Sequence, residues 1–263
     1  MEERVILEVK KLTIGYGKGG SAIKVVENIS FALNSGEFIL MLGCNGAGKS
    51  TLLRTLSAVQ PPLAGEVKVC GESLMEITPR ELSQRVSAVF TDKTMAGGLL
   101  VEEVVALGRY PYTGFFGTMT DEDRSVVQSA LSLVGMQEKS KRYLSQLSDG
   151  ERQKIMIAKA LAQQTSLIIL DEPTAFLDLP SRIEILYLLK QLAEEECKTI
   201  ILSTHDVEQS LSVADKLLLF IDDKVKLAST TEAIESEDVA RLFESRGVVF
   251  DKEKGAFVPK QKR

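Results

Sequence analysis

The sequence predicts an α/β fold built on a largely parallel sheet. Two observations support this prediction. Short apolar runs alternate with helical segments through the second half of the chain. An earlier apolar run passes directly into the turn Gly43-Cys44-Asn45-Gly46-Ala47-Gly48-Lys49-Ser50-Thr51. A strand that leads through glycines into a helix is the local structure in which backbone N–H groups wrap a phosphate.

Composition and charge exclude several classes of protein. The 263 residues are 44% hydrophobic and 26% charged, which suits one compact unit with a small subdomain. A formal net charge of -5 provides no basic field for nucleic acid. The 3 cysteines are far apart, which argues against a disulfide framework or zinc site and favours a reducing compartment. Apolar runs are too short to span a bilayer and no secretory leader is recognised, so we expect any membrane role to depend on a partner.

The predicted elements follow in order along the chain. Strand patterns in the first third lie at 6–9, 25–33, 38–42 and 67–69. Helical patterns at 101–107, 121–134 and 150–162 predict an inserted helical subdomain. Strands and helices then alternate at 167–170, 182–193, 199–203, 207–214 and 216–221. A strand ending at 227, a helix at 237–243 and a hairpin within 248–258 complete the prediction.

The glycine-rich turn matches the phosphate-binding pattern GxxxxGK[ST]. Such a pattern arises by chance in roughly one random chain of this length in a hundred. Lys49 is expected to reach the β- and γ-phosphates of a nucleotide, and Ser50 offers a hydroxyl to Mg²⁺. The other expected phosphate contacts are Gly43, Asn45, Gly46, Ala47, Gly48 and Thr51.

Two further strands end in polar side chains at the same edge of the predicted sheet. Asp171 and Glu172 follow the apolar run at 167–170, and His205, the 1 histidine of the chain, follows the run at 199–203. We expect Asp171 to support Mg²⁺ and Glu172 to orient and polarise the attacking water. A neutral imidazole at His205 can hydrogen-bond both phosphate and water.

Together these motifs resemble those of the ATP-binding cassette (ABC) ATPases, from residue 5 to about residue 227. The resemblance implies a RecA-like P-loop NTPase core with an antiparallel β-subdomain and an inserted helical subdomain. We therefore expect an ABC ATPase domain at 1–230, with its helical subdomain at about 93–162. Residues 231–263 are expected to form a C-terminal extension packed on the same domain.

The resemblance also implies a site shared between two subunits. In Leu147-Ser148-Asp149-Gly150-Glu151, it places Ser148 and Gly150 against the γ-phosphate of ATP held by the opposite subunit. It implies that Tyr16 stacks on adenine, although a surface aromatic after a strand is the simpler alternative. Asp178 is expected in the loop that links the two sites. The expected assembly is a head-to-tail homodimer with two ATP molecules at its interface.

A narrower resemblance lies in the helical segment. The run Gly108-Arg109-Tyr110-Pro111-Tyr112 and the glycines and aromatics at 113–117 are similar to a segment of ATPases that import iron-siderophore, haem and cobalamin complexes. The runs at 131–135 and 150–153 resemble the same group. These aromatic residues either contact a membrane subunit or form a small satellite core.

Two positions depart from the family pattern. Thr91 stands where the family has the glutamine of its lid loop, so it is a candidate metal residue of shorter reach, and the contact with Mg²⁺ or water is either lost or taken over by the adjacent Asp92. Asp149 replaces a glycine in the signature motif. A carboxylate suits a helix N-terminus but repels nucleotide phosphates unless it points away.

These expectations define an ATP-hydrolysing subunit of an ABC importer for an iron-siderophore, haem or cobalamin-like compound. Its expected partners are a second copy, integral-membrane permease subunits and, indirectly, a substrate-binding protein, with no nucleic acid. The expected location is peripheral, at the cytoplasmic face of the cell membrane. An ABC clamp on nucleic acid or the ribosome is the rival, but the coiled-coil insertions or tandem cassettes it requires are not recognised here. A nucleotide-binding regulator without turnover remains a third hypothesis, based on Thr91 and Asp149.

Overall fold

Two sheets organise the chain, and helices cover both. The computed structural model describes residues 4–17, 19–90, 98–114, 117–243, 248–251 and 256–259. Within these ranges the strands are β1 (Val5–Tyr16), β2 (Ile23–Asn34), β3 (Phe38–Leu42), β4 (Ala64–Val69), β5 (Glu72–Ser73), β6 (Val86–Val89), β7 (Leu167–Asp171), β8 (Thr199–Ser203), β9 (Lys216–Ile221), β10 (Lys224–Ser229), β11 (Val248–Asp251) and β12 (Ala256–Pro259). The α-helices are α1 (Lys49–Leu56), α2 (Pro79–Ser83), α3 (Val101–Ala106), α4 (Asp121–Leu133), α5 (Asp149–Ala162), α6 (Leu179–Glu196), α7 (Val207–Leu211), α8 (Thr230–Glu235) and α9 (Asp238–Phe243).

The larger sheet has the strand order β10-β9-β3-β8-β7-β6 in the described part of the chain. The ladders from β9 through β6 are parallel, and β10 returns antiparallel on β9. Strand β8 lies between β3 and β7, so the carboxyl ends of these three strands meet at one edge of the sheet. Open α/β sheets bind their ligands at this edge.

Each face of the parallel sheet contributes to a different hydrophobic cluster. On β3, Phe38, Leu40 and Leu42 pack with the helices α3 to α6, whereas Ile39 and Met41 pack with α1 and the antiparallel sheet. All five side chains are buried. Successive residues of a strand point to opposite faces, and a parallel strand covered on both faces is apolar throughout.

The second sheet is antiparallel, with the strand order β2-β1-β4-β5. Its strands β1, β2 and β4 contribute Leu7, Ile29 and Val67 to the cluster beneath the parallel sheet. A parallel sheet, an antiparallel sheet and a group of helices between β6 and β7 agree with the predicted fold class.

The helices between β6 and β7 are fastened by a buried ion pair. Arg109 Nε donates to Asp123 Oδ1 at 2.8 Å, and each side chain is only 6% exposed. Arg109 Nη1 also donates to the Ala162 carbonyl at 2.9 Å and to Gln164 Oε1 at 2.7 Å. Since these partners lie at the start of α4, at the last residue of α5 and just beyond it, Arg109 joins both helices to the segment that follows α3.

Several elements differ from the sequence prediction. Strand β6 and helix α8 were not predicted, and both are short, at 4 and 6 residues. Helix α7 ends at Leu211 rather than at 214, and α6 begins at Leu179 rather than at 182 because Asp178 caps it. The predicted helix and hairpin of the C-terminal extension correspond to α9 and the pair β11–β12. The division between 1–230 and 231–263 stays a prediction.

Among the described residues, no helix combines the length and the apolar character that a bilayer crossing requires.

Candidate functional site

The glycine-rich turn connects β3 to α1 and needs glycine for two reasons. Gly46 and Gly48 adopt positive φ angles of 81° and 100°, which other residues rarely adopt. A Cβ at Gly48 would lie 2.7 Å from Val25 Cγ1, and one at Gly43 would lie 2.7 Å from Phe220 Cβ. The two ends of the loop therefore pack closely against Phe220 and Val25, while Asn45 and Gly46 are exposed.

Lys49 lies back across the loop it follows. Its Nζ donates to the Gly43 carbonyl at 2.6 Å and to the Cys44 carbonyl at 3.1 Å, and the residue is 9% exposed. Burial lowers the pKa of Lys49, whereas the negative charges of Glu172 and Asp171 act in the opposite direction. The ammonium is thus held at the loop and close to the two acidic residues at the end of β7.

Asp171 is held by a hydroxyl on the neighbouring strand. Asp171 and Ser203 are register partners at the ends of β7 and β8. Ser203 Oγ donates to Asp171 Oδ1 at 2.5 Å, and the two residues are 0% and 7% exposed, respectively. The Ser203 hydroxyl thus occupies one oxygen of a carboxylate that is almost fully buried.

Glu172 turns away from the strand and contacts His205. Its φ of 52° is unusual for a residue with a side chain, and its N–H donates to the Ser203 carbonyl at 2.9 Å. His205 Nε2 lies 2.8 Å from Glu172 Oε1, a distance at which a ring N–H donates to a carboxylate. The structure therefore brings Lys49, Asp171, Glu172 and His205 to one edge of the sheet, as the sequence predicted.

Tyr16 lies beside the helix that follows the glycine-rich turn. Its hydroxyl is 2.7 Å from Thr51 Oγ1, and the residue is 50% exposed. The Gln60 side-chain amide donates to the Gly15 carbonyl and so fixes the backbone immediately before the tyrosine. The ring is accessible near the phosphate loop, and its stacking on adenine stays a prediction.

The signature motif begins helix α5 with a reciprocal cap. Ser148 Oγ accepts from the Glu151 N–H, and Glu151 Oε2 accepts from the Ser148 N–H at 3.0 Å. Asp149 Oδ1 accepts from Arg152 Nη1 at 3.0 Å. The carboxylate that departs from the family pattern is therefore paired with the next turn of its own helix.

A close approach joins the start of α5 to the loop at 176–178. A Cβ at Gly150 would lie 2.9 Å from the Phe176 carbonyl oxygen, which accounts for glycine at this position. Asp178 Oδ1 accepts from the Ser181 N–H at 3.1 Å and caps α6. Ser148, Gly150 and Asp178 line one open cavity of about 590 Å³.

The predicted residues thus fall into two groups. Lys49, Asp171, Glu172 and His205 form the first, and Ser148, Gly150 and Asp178 form the second; the described lining of the second cavity contains no residue of the glycine-rich turn. Thr91, Asp92, Phe115 and Phe116 lie outside the described residues.

Three polar residues of the site were not predicted from the sequence. They are Ser203, Arg182 and Asp206. Arg182 Nη1 and Asp206 Oδ1 form an ion pair at 2.5 Å. Arg182 Nη2 also donates to the Leu177 carbonyl at 3.2 Å, so the pair ties the loop at 176–178 to the residue after His205. A sequence signal existed for Ser203 and Asp206, because both lie within two residues of His205.

Comparisons with known proteins agree with this geometry. The model of the ABC transporter family matches residues 26–175. The ferric enterobactin transport ATP-binding protein FepC of Escherichia coli is 35% identical over 93% of this chain and 89% of its own length. A solved metal-chelate type ABC transporter in an inward-facing conformation matches at 30% identity and a TM-score of 0.79, covering 98% of both chains. A dimeric ATP-binding cassette in a post-hydrolysis state, bound to ADP and Pi, matches at 27% identity and a TM-score of 0.76 over 86% of this chain and 99% of that one.

The chain therefore belongs to the ABC transporter family, as an ATP-binding cassette ATPase. The predicted family and fold class are confirmed.

Proposed function

We propose that this chain is the ATP-hydrolysing subunit of an ABC importer for an iron-siderophore, haem or cobalamin-like compound. The observation that carries the proposal is the cluster of Lys49, Asp171, Glu172 and His205 at the end of a phosphate-binding loop. The similarity to an Escherichia coli ferric enterobactin ATP-binding protein supports the substrate class.

The oxygen donors at the site fit Mg²⁺. Ser50 supplies an exposed hydroxyl at the start of α1, and Asp171 supplies a carboxylate oriented by Ser203. Hydroxyl, carboxylate and phosphate oxygens are the ligands that Mg²⁺ prefers. Ser50 and Asp171 would hold the ion, with Thr91 kept as a further candidate. A bound Mg²⁺ would supply positive charge that offsets the negative charge developing on the phosphates during transfer.

The other residues of the site bind the nucleotide or transfer a proton. The N–H groups of the glycine-rich turn and Lys49 bind the phosphates of ATP, with Thr51 at the same helix N-terminus. Glu172 accepts a proton from the attacking water as its oxygen bonds to the γ-phosphorus and the bond to the ADP oxygen breaks. His205, whose Nε2 lies 2.8 Å from Glu172 Oε1, donates its ring N–H to the γ-phosphate. Tyr16 stacks on the adenine.

Completion of the site requires a second copy of the chain. Ser148 and Gly150 present the N-terminus of α5 at an open cavity, where a helix end favours an anion from outside the subunit. A head-to-tail homodimer places this surface against ATP in the partner and uses Asp178 in the connecting loop. Permease subunits would hold the pair at the cytoplasmic face of the membrane, and a substrate-binding protein would act through those subunits.

Replacing Glu172 tests the catalytic assignment. Glu172→Gln is expected to keep ATP binding and to slow turnover by about two to four orders of magnitude, the range for removing a general base. Steady-state hydrolysis and ATP titration measure the two effects. Size-exclusion chromatography should show an ATP-bound dimer. Glu184→Gln, an exposed residue on α6, is the control. Turnover within a few-fold of the parent in Glu172→Gln would refute the assignment.

Co-purification tests the importer assignment. Mass spectrometry of complexes from gently solubilised membranes should identify integral-membrane permease subunits together with this chain. Recovery with ribosomes or DNA in place of membrane subunits would contradict transport.

A further inference from the structure

Ser203 contacts both acidic residues of the site. Its hydroxyl donates to Asp171 Oδ1 at 2.5 Å, and its carbonyl accepts the Glu172 N–H at 2.9 Å. It also lies two residues before His205. One residue at the end of β8 therefore touches the backbone or side chain of each carboxylate residue.

The hydroxyl of Ser203 is not explained by packing alone. The residue is fully buried and follows three apolar residues of β8, and a buried hydroxyl is unfavourable unless it is hydrogen-bonded. Its bond is made to a carboxylate that is itself 7% exposed. The Ser203 hydroxyl thus has its hydrogen-bond partner in Asp171, the residue that pairs with it on the neighbouring strand.

We propose that Ser203 is a positioning residue for the metal: its hydroxyl fixes the carboxylate of Asp171 in the orientation that binds Mg²⁺ with ATP. This inference rests on the proposed ATPase site. A hydrogen bond from a second residue limits the rotation of a metal-binding carboxylate, and the loss of such partners typically weakens metal binding by about 10–100-fold. The hydrogen bond also draws electron density from the carboxylate. The predicted gain in metal affinity therefore comes from the orientation of the carboxylate and not from added negative charge.

The test measures nucleotide binding with and without metal, so it does not depend on turnover. A fluorescent, non-hydrolysable ATP analogue is titrated with the full-length chain in EDTA and over a series of Mg²⁺ concentrations. Titration of the complex with Mn²⁺, followed by electron paramagnetic resonance, gives the metal affinity directly. Ser203→Ala is expected to weaken metal affinity by about tenfold and to leave affinity in EDTA within about twofold of the parent.

Two further variants separate positioning from folding. Ser203→Thr keeps the hydroxyl and should restore most of the metal affinity, whereas Ser203→Cys, with a weaker donor, should give an intermediate loss. Ser87→Ala is the matched control, because Ser87 is a buried strand serine that bonds Thr165 at 3.0 Å, on the edge strand β6. It should leave metal affinity unchanged. If Ser203→Ala does not fold, the Thr and Cys variants still test the ordering of affinities.

The outcomes distinguish this inference from the proposed function. Equal losses with and without metal would show that Ser203 supports only the fold, and unchanged metal affinity in Ser203→Ala and Ser203→Cys would also overturn the inference. In both cases a parent chain that binds the analogue with a Mg²⁺ dependence keeps the proposed function. A parent that binds no nucleotide, or binds it without regard to Mg²⁺, would overturn both.

Discussion

The sheet edge and the start of α5 differ in what their polar groups contact. At the sheet edge, Ser203 Oγ donates to Asp171 and His205 Nε2 lies 2.8 Å from Glu172, so residues at the ends of two neighbouring strands contact one another. At the start of α5, Ser148 and Asp149 bond only within their own helix among the contacts described here. The first group is assembled within one chain, whereas the second presents a capped helix end outward. The difference supports the proposal that the sheet edge is a prearranged hydrolytic half and that the start of α5 is a separate half suited to another subunit.

The largest effect in this comparison is expected from Lys49→Ala. The side chain replaced is a cation held at the phosphate loop, and hydrogen bonds to charged groups contribute about 1.5–3 kcal/mol each. Loss of two such bonds to phosphate should weaken ATP binding by at least about 100-fold. Isothermal titration gives the affinity, with Lys24→Ala, an exposed lysine on β2, as the control. Undiminished affinity would show that the loop binds phosphate without Lys49.

Gly150→Ala tests the outward-facing half. The new Cβ would lie 2.9 Å from the Phe176 carbonyl, so the approach of α5 to the loop at 176–178 must change. We expect ATP affinity of the single subunit to stay within about twofold and turnover to fall roughly 10–100-fold, since small displacements of a positioned group have effects of this size. Nucleotide titration and steady-state hydrolysis provide the two values.

The control for Gly150→Ala is Gly114→Ala, because a Cβ at Gly114 meets no atom within 4 Å. The control should retain parental turnover. If Gly150→Ala weakened ATP binding by the single subunit as much as it slowed turnover, the two halves would not be separable as proposed.

The sequence predicted the assembled half better than the outward-facing half. Strand endings placed Asp171, Glu172 and His205 at one edge because parallel strands share their carboxyl ends. No local pattern showed that Ser203 would bond Asp171, since a register pair between distant strands depends on the folded sheet. Similarly, the ion pair between Arg182 and Asp206 joins positions 24 residues apart and has no periodic signal.

Asp149 and the aromatic segment show a different limit of prediction. The sequence identified a carboxylate at the signature position but not its direction, which depends on the pairing with Arg152 in the next turn. It also left open whether Tyr110 and Tyr112 contact a partner or fill a core. The structure separates the two residues: Tyr110 is 75% exposed, whereas Tyr112 Oη donates to the Gln163 carbonyl at 2.8 Å.

The smallest expected effect is on the free energy of unfolding, and it distinguishes these two tyrosines of the helical region. The Tyr112 ring lies 4.1 Å from the Arg109 guanidinium carbon, and burial raises the pKa of its hydroxyl while Arg109 opposes that rise. Because Tyr112 Oη donates to the Gln163 carbonyl, removing this hydroxyl in Tyr112→Phe should lower the free energy of unfolding by about 0.5–1.5 kcal/mol, the usual contribution of one hydrogen bond. Tyr110→Ala should change it by less than about 0.5 kcal/mol, as for other surface substitutions. Urea unfolding measures both variants.

Co-purification with membrane subunits should be reduced more by Tyr110→Ala than by Tyr112→Phe, the reverse of their effects on stability. If Tyr110 is part of the permease contact, Tyr110→Ala will reduce co-purification with membrane subunits while ATP affinity stays at the parental value, because the residue lies outside the phosphate site. Tyr112→Phe keeps the ring and should retain the association. A Tyr110→Ala variant that unfolded at lower urea than Tyr112→Phe would place Tyr110 in a satellite core. Unchanged co-purification of a stably folded Tyr110→Ala would instead remove this residue from the partner surface.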